Sequence, residues 1–394
     1  MKKDLLAVSI LGLDRPGLLS DITGAISELN VNIVDITQTT PHHILSLFLL
    51  LDPNTSEENV DVIRGTILEK AGELNLRAVV SSLKELGKHI PPQKEDLQTI
   101  TVVGRDKPGI IHAITKVIGE QGINIERINQ ISRGEFFVME LLTGRVEPVD
   151  LKELRAFLQK KGEEIEVDVI VQQEDLFRRR KHIIVFDMDS TIVDAEVIDE
   201  LANLVGVGGP VAEITAAGMR GEIDFEEGLR KRVKMLKGTP VSVLEELAGA
   251  LKLTPGTEEL VLTLKEMGFK TGLVSGGFTF FTDKLKEKLG FDYAYANQVE
   301  INDGILTGEV IGQIVDRERK GEIVSEICKI EGVSSDSCVA VGDGANDDVM
   351  LKNAGLGIAF NAKEILKKKA DGAIDHSNIL TLLYCLGMRR SNDS

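Results

Sequence analysis

The sequence predicts an α/β protein in three parts: two small βαββαβ domains, then a larger domain built on a mainly parallel sheet covered on both faces. Three observations predict it. A stretch recurs at a constant offset of 92 residues, aligning Asp14, Gly17 and Asn32 with Asp106, Gly109 and Asn124. Apolar, β-branched runs alternate with helix-periodic segments along the whole chain. In the last part, strand-like runs end repeatedly in carboxylates, hydroxyls or glycines.

In the first copy, Leu5 to Leu11 reads as a strand, Pro16-Gly17 turns the chain, and an apolar-periodic helix runs to Leu29. Val31 to Thr39 alternates as a strand does, and Ile44 to Leu51, a helical Glu57 to Ala71 and the strand Leu76 to Ser81 complete the unit. This order is a split βαβ, a ferredoxin-like layer with helices on one face. Gly12/Gly104, Pro16/Pro108 and Gln38/Gln130 hold the same register in the second copy. The boundaries expected are 1–88 for the first copy, a break at Pro91-Pro92, 97–173 for the second, and a charged linker at 174–181. From 182 to 394, the strands Ile183 to Phe186, Thr271 to Val274 and Cys338 to Val341 alternate with helices, giving a Rossmann-like sheet with its site at the carboxyl ends of the strands.

Bulk properties narrow the function. The chain of 394 residues, with 46 Lys+Arg against 63 Asp+Glu and a formal charge of −17, disfavours nucleic acid and anionic membranes as partners. A small anionic substrate therefore needs a local basic site. The cysteines Cys328, Cys338 and Cys385 form no C-x-x-C pair, which suits reduced thiols in a cytoplasm. The run Leu5 to Leu13 leads into Asp14-Arg15-Pro16-Gly17, a strand entering a turn rather than a cleavable leader. Ile44 to Leu51 is far shorter than the roughly 20 residues that span a bilayer, so no membrane anchor is expected.

The chemistry concentrates in four segments. His182 to Thr191 reads H-I-I-V-F-D-M-D-S-T: an apolar strand ends in Asp187 and Asp189, which as residues i and i+2 of extended chain face one side. Two carboxylates that close require a cation or a shared proton. Val274-Ser275-Gly276-Gly277 offers a hydroxyl and backbone N–H groups to a phosphate, and Lys320 offers a compact cation. Val341 to Asp348 places Asp343, Asn346 and Asp347 just after another strand, an oxygen-rich set that suits Mg²⁺. Singly, each segment is commonly a turn or a surface charge; in this order at strand ends they form a set.

D-x-D-S-T, S-G-G, the later Lys and G-D-G-x-N-D together resemble the ordered signatures of haloacid-dehalogenase-type phosphatases. Within that family the segment Asp194-Ala195-Glu196, Met219, Phe225 and Leu229 to Val233 is similar to the helical cap, at about 194–252, of the phosphoserine phosphatases. The resemblance implies Asp187 as nucleophile, Asp189 as general acid and base, and Mg²⁺ on Asp187, the Asp189 carbonyl, Asp343 and, through water, Asp347. It further implies Ser275, Gly276, Lys320 and Asn346 around the phosphate. Glu196 and Arg232 then face the ammonium and carboxylate of L-phosphoserine, and Met219 and Phe225 form an apolar wall. Asp187 is expected to be ionised at neutral pH without an activating base. Hydrolysis of another small phosphoester, transfer to another alcohol, or an amino-acid-sensing protein with a degenerate phosphatase module are the alternatives.

The repeats resemble ACT domains, whose first strand leads through an Asp-to-Gly turn into a helix. Here the turns are Asp14-Arg15-Pro16-Gly17 and Asp106-Lys107-Pro108-Gly109. The resemblance implies an amino acid, L-serine as the effector expected, held by the turn N–H groups together with Asn32 or Asn124, and a homodimer.

Overall fold

A computed structural model describes residues 4–86, 97–133, 137–144, 151–173 and 181–387. Pro91-Pro92 and all of the expected linker except Lys181 lie outside the described residues. The chain divides into two compact units, residues 1–92 and 93–394.

The first unit is a four-stranded antiparallel sheet in the order β2-β3-β1-β4, with β1 at Leu6–Leu13, β2 at Asn32–Thr39, β3 at Ile44–Asp52 and β4 at Arg77–Ser82. Strict alternation in β3 buries Leu45, Leu47, Leu49 and Leu51 against Ile22, Ile26, Ile63 and Ile67 of the helices Leu18–Glu28 and Val60–Glu73. Gly17 enters the first helix at φ 92°, a left-handed backbone that favours glycine, and Asn59 caps the second by accepting from the Val62 N–H at 2.9 Å. On the opposite sheet face Leu13, Phe48 and Val79 are exposed.

The second unit contains the second repeat and everything after it. Its strands are β5 (Gln98–Gly104), β6 (Asn124–Arg133), β7 (Phe137–Gly144), β8 (Val167–Gln173), β9 (Ile183–Asp187), β10 (Lys270–Phe278), β11 (Tyr293–Asn302), β12 (Ile305–Ile311), β13 (Cys338–Gly342), β14 (Leu356–Phe360) and β15 (Gly372–Ile374). Among the described residues they form one 11-stranded sheet, β12-β11-β10-β9-β13-β14-β15-β8-β5-β7-β6. From β11 through β15 neighbouring strands are parallel. β9 sends Ile184 and Phe186 into one core and Ile183 and Val185 into the other, so both faces are covered, as the near-continuous apolar runs require.

The two repeats differ in one respect that the sequence does not announce. The edge strand β8 of the second repeat pairs antiparallel with β15, so its sheet continues into the larger one rather than standing apart. Gly372 permits the approach, because a Cβ there would lie 2.6 Å from Ile170. Buried Asp168 fastens the seam by accepting from the backbone N–H groups of Asp375 (2.7 Å) and His376 (3.0 Å) and the Ser377 hydroxyl (2.5 Å). Desolvation by this burial outweighs those bonds and raises the Asp168 carboxyl above its ordinary range.

The chain order switches around β9, with β10 on one side and β13 on the other, which opens a crevice at their carboxyl ends. Among the described residues five helices lie between β9 and β10, Val197–Leu204, Gly208–Met219, Phe225–Met235 and Val241–Ala250, followed by Thr257–Glu266, which leads into β10. No helix among the described residues is long and apolar enough to cross a membrane.

Candidate active site

Asp187 is the last residue of β9, buried at 4% exposure, and Asp189, two residues on, reaches the same crevice, where it accepts from Ser275. Ser190, three residues past the strand, takes φ 57°, a left-handed kink, and its hydroxyl donates to Glu196 Oε1 at 3.0 Å. One hydrogen bond from the Val197 N–H (2.8 Å) and one from the Ser275 hydroxyl (2.9 Å) fix the two oxygens of Asp189. The first bond ties it to the start of the helical insertion; the second ties it to β10.

Ser275 in turn accepts from the Gly277 N–H at 2.8 Å, which curls the S-G-G segment into a small nest. A Cβ on Gly276 would lie 3.2 Å from Cζ of Phe225, the first residue of an inserted helix, so the glycine leaves room for that ring. Phe225 thus lies over the glycine turn.

Lys320 is 1% exposed on the helix Arg317–Ile330. Its ammonium donates to Asp187 Oδ1 (2.5 Å) and Asp347 Oδ1 (2.7 Å). Asp347 also accepts from the Gly344 N–H at 2.9 Å, closing the turn that carries Asn346. Gly342 admits it, since a Cβ there would lie 2.6 Å from the Asp347 carboxylate. Carboxylate oxygens of Asp187, Asp343 and Asp347 all lie within 4.8 Å of one another.

This crowding sets the protonation states. Burial, then the Asp347, Asp189 and Asp343 charges, push Asp187 well above the usual carboxylate range, with Lys320 opposing them. Three more carboxylates crowd Asp187 and the Lys320 ammonium opposes them, so the cluster favours a bound cation that would keep Asp187 ionised. Burial pushes Asp343 up to about 7, helped by Asp347 and Glu196. Burial likewise raises Asp189 to about 6, against the Val197 and Ser275 bonds. Lys320 is pulled down by burial, but Asp187 and Asp347 outweigh it and hold the ammonium above the lysine range. A hard divalent cation fits this all-oxygen set and its excess negative charge; Mg²⁺ has that chemistry.

Arg232 is half-buried on the helix that begins at Phe225, where desolvation lowers its pKa and Asp199, Glu196 and Asp189 oppose the shift. Met219 closes the helix Gly208–Met219; its side chain lies outside the described residues. The structure thus brings Asp187, Asp189, Glu196, Phe225, Ser275, Gly276, Lys320, Asp343, Asn346 and Asp347 to the crevice, while Arg232 is hydrogen-bonded only to the Gly228 carbonyl of its own helix among the described residues.

Two supports carry no local signature in the sequence. Asn297, fully buried, donates to the Gly276 carbonyl (2.9 Å) and accepts from the Val315 N–H (2.7 Å), pinning the nest. Asp348 is bound by Arg317 Nε at 2.5 Å and also by Lys369, which ties the start of the Lys320 helix to the Asp347 turn. An Asn inside a strand and an Asp beside a known cluster read as ordinary polar residues.

At the repeats, Asp106 to Ile111 and Phe137 line a cavity of about 350 Å³. Gly109 stands at φ 96°, as its counterpart Gly17 stands at 92°. Asn32 pairs opposite Asp52 while Leu13, next to Asp14, pairs opposite Ile44, so Asn32 and the turn occupy opposite ends of β3. Asn124, opposite Gly144, and Gly104, opposite Phe137, are separated in the same way along β7. Asn124 instead donates to Glu126 at 2.7 Å. The turns and asparagines expected to share one ligand are therefore not brought together within a copy.

Comparison with known proteins matches residues 181–355 to the haloacid dehalogenase-like hydrolase family and residues 4–81 and 98–159 to ACT domains. The chain is 39% identical to phosphoserine phosphatase of Streptomyces coelicolor over 387 residues, covering 98% of this chain and 92% of the relative. It is 48% identical to phosphoserine phosphatase of Archaeoglobus fulgidus over 318 residues, covering 79% and 92%. A crystal structure of a probable phosphoserine phosphatase from Vibrio cholerae aligns at TM-score 0.59 and 35% identity, covering 73% of this chain and 86% of that one.

Proposed function

The chain belongs to the phosphoserine phosphatases of the haloacid dehalogenase-like hydrolase family, a phosphoric monoester hydrolase with two ACT domains, and from that premise we propose that it hydrolyses L-phosphoserine to L-serine and phosphate through a phosphorylated Asp187. The carrying observation is Asp187 at a strand end, bonded to buried Lys320, with Asp189 held two residues on by Ser275 and Val197.

In this reading an Asp187 oxygen attacks phosphorus and the bond from phosphorus to the serine oxygen breaks. Asp189, raised to about 6, gives that oxygen its proton, then takes a proton from the water that displaces Asp187. Lys320, Ser275 and the Gly276 turn hold the phosphoryl oxygens, and Asn346 orients the site. Mg²⁺ would be held by Asp187, Asp343 and the Asp189 carbonyl, with Asp347 in support, and when bound it neutralises the carboxylates and polarises the phosphoryl group. Glu196 and Arg232 take the ammonium and carboxylate, with Phe225 and Met219 as the wall. Phosphate release from a panel of phosphoesters tests this: phosphoserine should lead, and it should fail in excess chelator. Activity confined to other phosphoesters would sink the substrate assignment.

The same proposal assigns L-serine as effector at the Asp106–Gly109 cavity and its counterpart at Asp14–Gly17, and a homodimer formed through the exposed face of the first sheet. Asn32 and Asn124 would contribute only from another copy of the domain. Domain limits of 1–88, 97–173 and 182–394, with a cap at 194–252, and a cytoplasmic setting for the buried free thiols belong to this reading.

A further inference from the structure

The helix Val197–Leu204 carries a carboxylate that the reaction above leaves unused. Asp199 stands in its first turn, three residues beyond Glu196. Its Oδ1 is buried and, among the described residues, has no hydrogen-bond partner, a costly condition for an acceptor. Arg232 shows the complementary deficit. Its guanidinium has five N–H groups, yet among the described residues it makes a single long bond, Nε to the Gly228 carbonyl at 3.4 Å. Among the described residues no ion pair joins Arg232 to a carboxylate, and Asp199, Glu196 and Asp189 are the carboxylates whose charges reach it.

Two of these three are committed during turnover. Glu196 is held by Ser190 and faces the substrate ammonium, and Asp189 carries the transferring proton in the first step. Asp199 is then the carboxylate of the three left to balance a half-buried guanidinium. We propose that Asp199 is a positioning residue for substrate recognition: it takes one edge of the Arg232 guanidinium, so that the other edge is presented to the substrate carboxylate. A planar fork suits this division, because its two edges donate in opposite directions.

The inference rests on the assignment of Arg232 to the phosphoserine carboxylate, and the experiment separates the two. Steady-state kinetics on the full chain with Mg²⁺ compare the parent, Asp199→Asn, Asp199→Glu, Arg232→Ala and the Asp199→Asn, Arg232→Ala double variant, each on phosphoserine and on p-nitrophenyl phosphate. Asp199→Asn should raise KM for phosphoserine roughly tenfold or more while kcat falls much less, with a far smaller effect on p-nitrophenyl phosphate. Asp199→Glu should recover part of the loss, and the double variant should be no worse than Arg232→Ala alone. Equal losses on both substrates, losses that multiply in the double variant, or a Glu variant no better than Asn would overturn the role of Asp199. A parent chain that ignores phosphoserine would bring down the underlying assignment as well.

Discussion

Replacing Lys320 by Met should destabilise the second unit and all but abolish turnover. The side chain is 1% exposed and bonds both Asp187 and Asp347, so Met would retain the stem and volume but strand two buried carboxylates beside Asp343. Removing one partner of a buried ion pair costs about 3–5 kcal/mol, and two pairs are broken here, which points to the upper end. For a unit of this size roughly 2 °C of melting temperature accompanies each kcal/mol, giving a fall of about 6–10 °C in EDTA. The pH dependence has a defined sign. Carboxyls held above their unfolded values, such as Asp343 at about 7 against 3.8, keep protons in the folded state that the unfolded chain releases. Stability of the parent in chelator should therefore decline as pH rises from about 4 to about 7. The deficit of Lys320→Met should be larger at pH 8 than at pH 5, since Asp187 loses the charge that lowers its pKa. Mg²⁺ should restore more stability to the variant than to the parent. Thermal unfolding by circular dichroism at both pH values, with EDTA or Mg²⁺, measures all of this. A variant that melts with the parent in EDTA at pH 8 would refute the electrostatic account of the cluster.

Asp189→Asn should release a burst of nitrophenol from p-nitrophenyl phosphate, whose leaving group needs no proton, and then stall with phosphate on the protein; steady turnover at the parental rate would remove Asp189 from the mechanism. Arg232→Ala should lose on the order of 2–5 kcal/mol in kcat/KM on phosphoserine and much less on p-nitrophenyl phosphate, and equal losses would place Arg232 in folding or phosphate binding instead. Gly109→Val forces a β-branched residue into φ 96° at the rim of the 350 Å³ cavity, so calorimetric titration of L-serine should lose a binding event, whereas unchanged uptake would exclude this turn as the effector site.

Much of the site was legible because its determinants are local. Asp187 and Asp189 stand two residues apart at the end of an apolar strand, Ser275-Gly276 lie just past the paired stretch of β10 and Asp343 just after β13, so placing the strands in one sheet brings their ends together. The repeat was legible for a similar reason, as an eleven-residue helix leaves a left-handed glycine in both copies. What escaped depends on partners distant in the chain. Asn297 matters only through Gly276 and Val315, and no spacing rule links them. The union of β8 with β15 joins Ile170 to Gly372, strands that are each unremarkable alone. Register between the repeats showed that Asn32 and Asn124 correspond, but not that a helical crossover puts each at the far end of the sheet from its turn.

The central claim is that phosphate passes through Asp187. Protein quenched in acid during turnover of phosphoserine, digested and examined by mass spectrometry, tests it most directly. The account predicts a phosphoryl group on Asp187 in the peptide spanning Ile183 to Thr191, absent from Asp187→Asn, which keeps its fold but does not turn over. Phosphate on Ser190, or full turnover by Asp187→Asn, would contradict it.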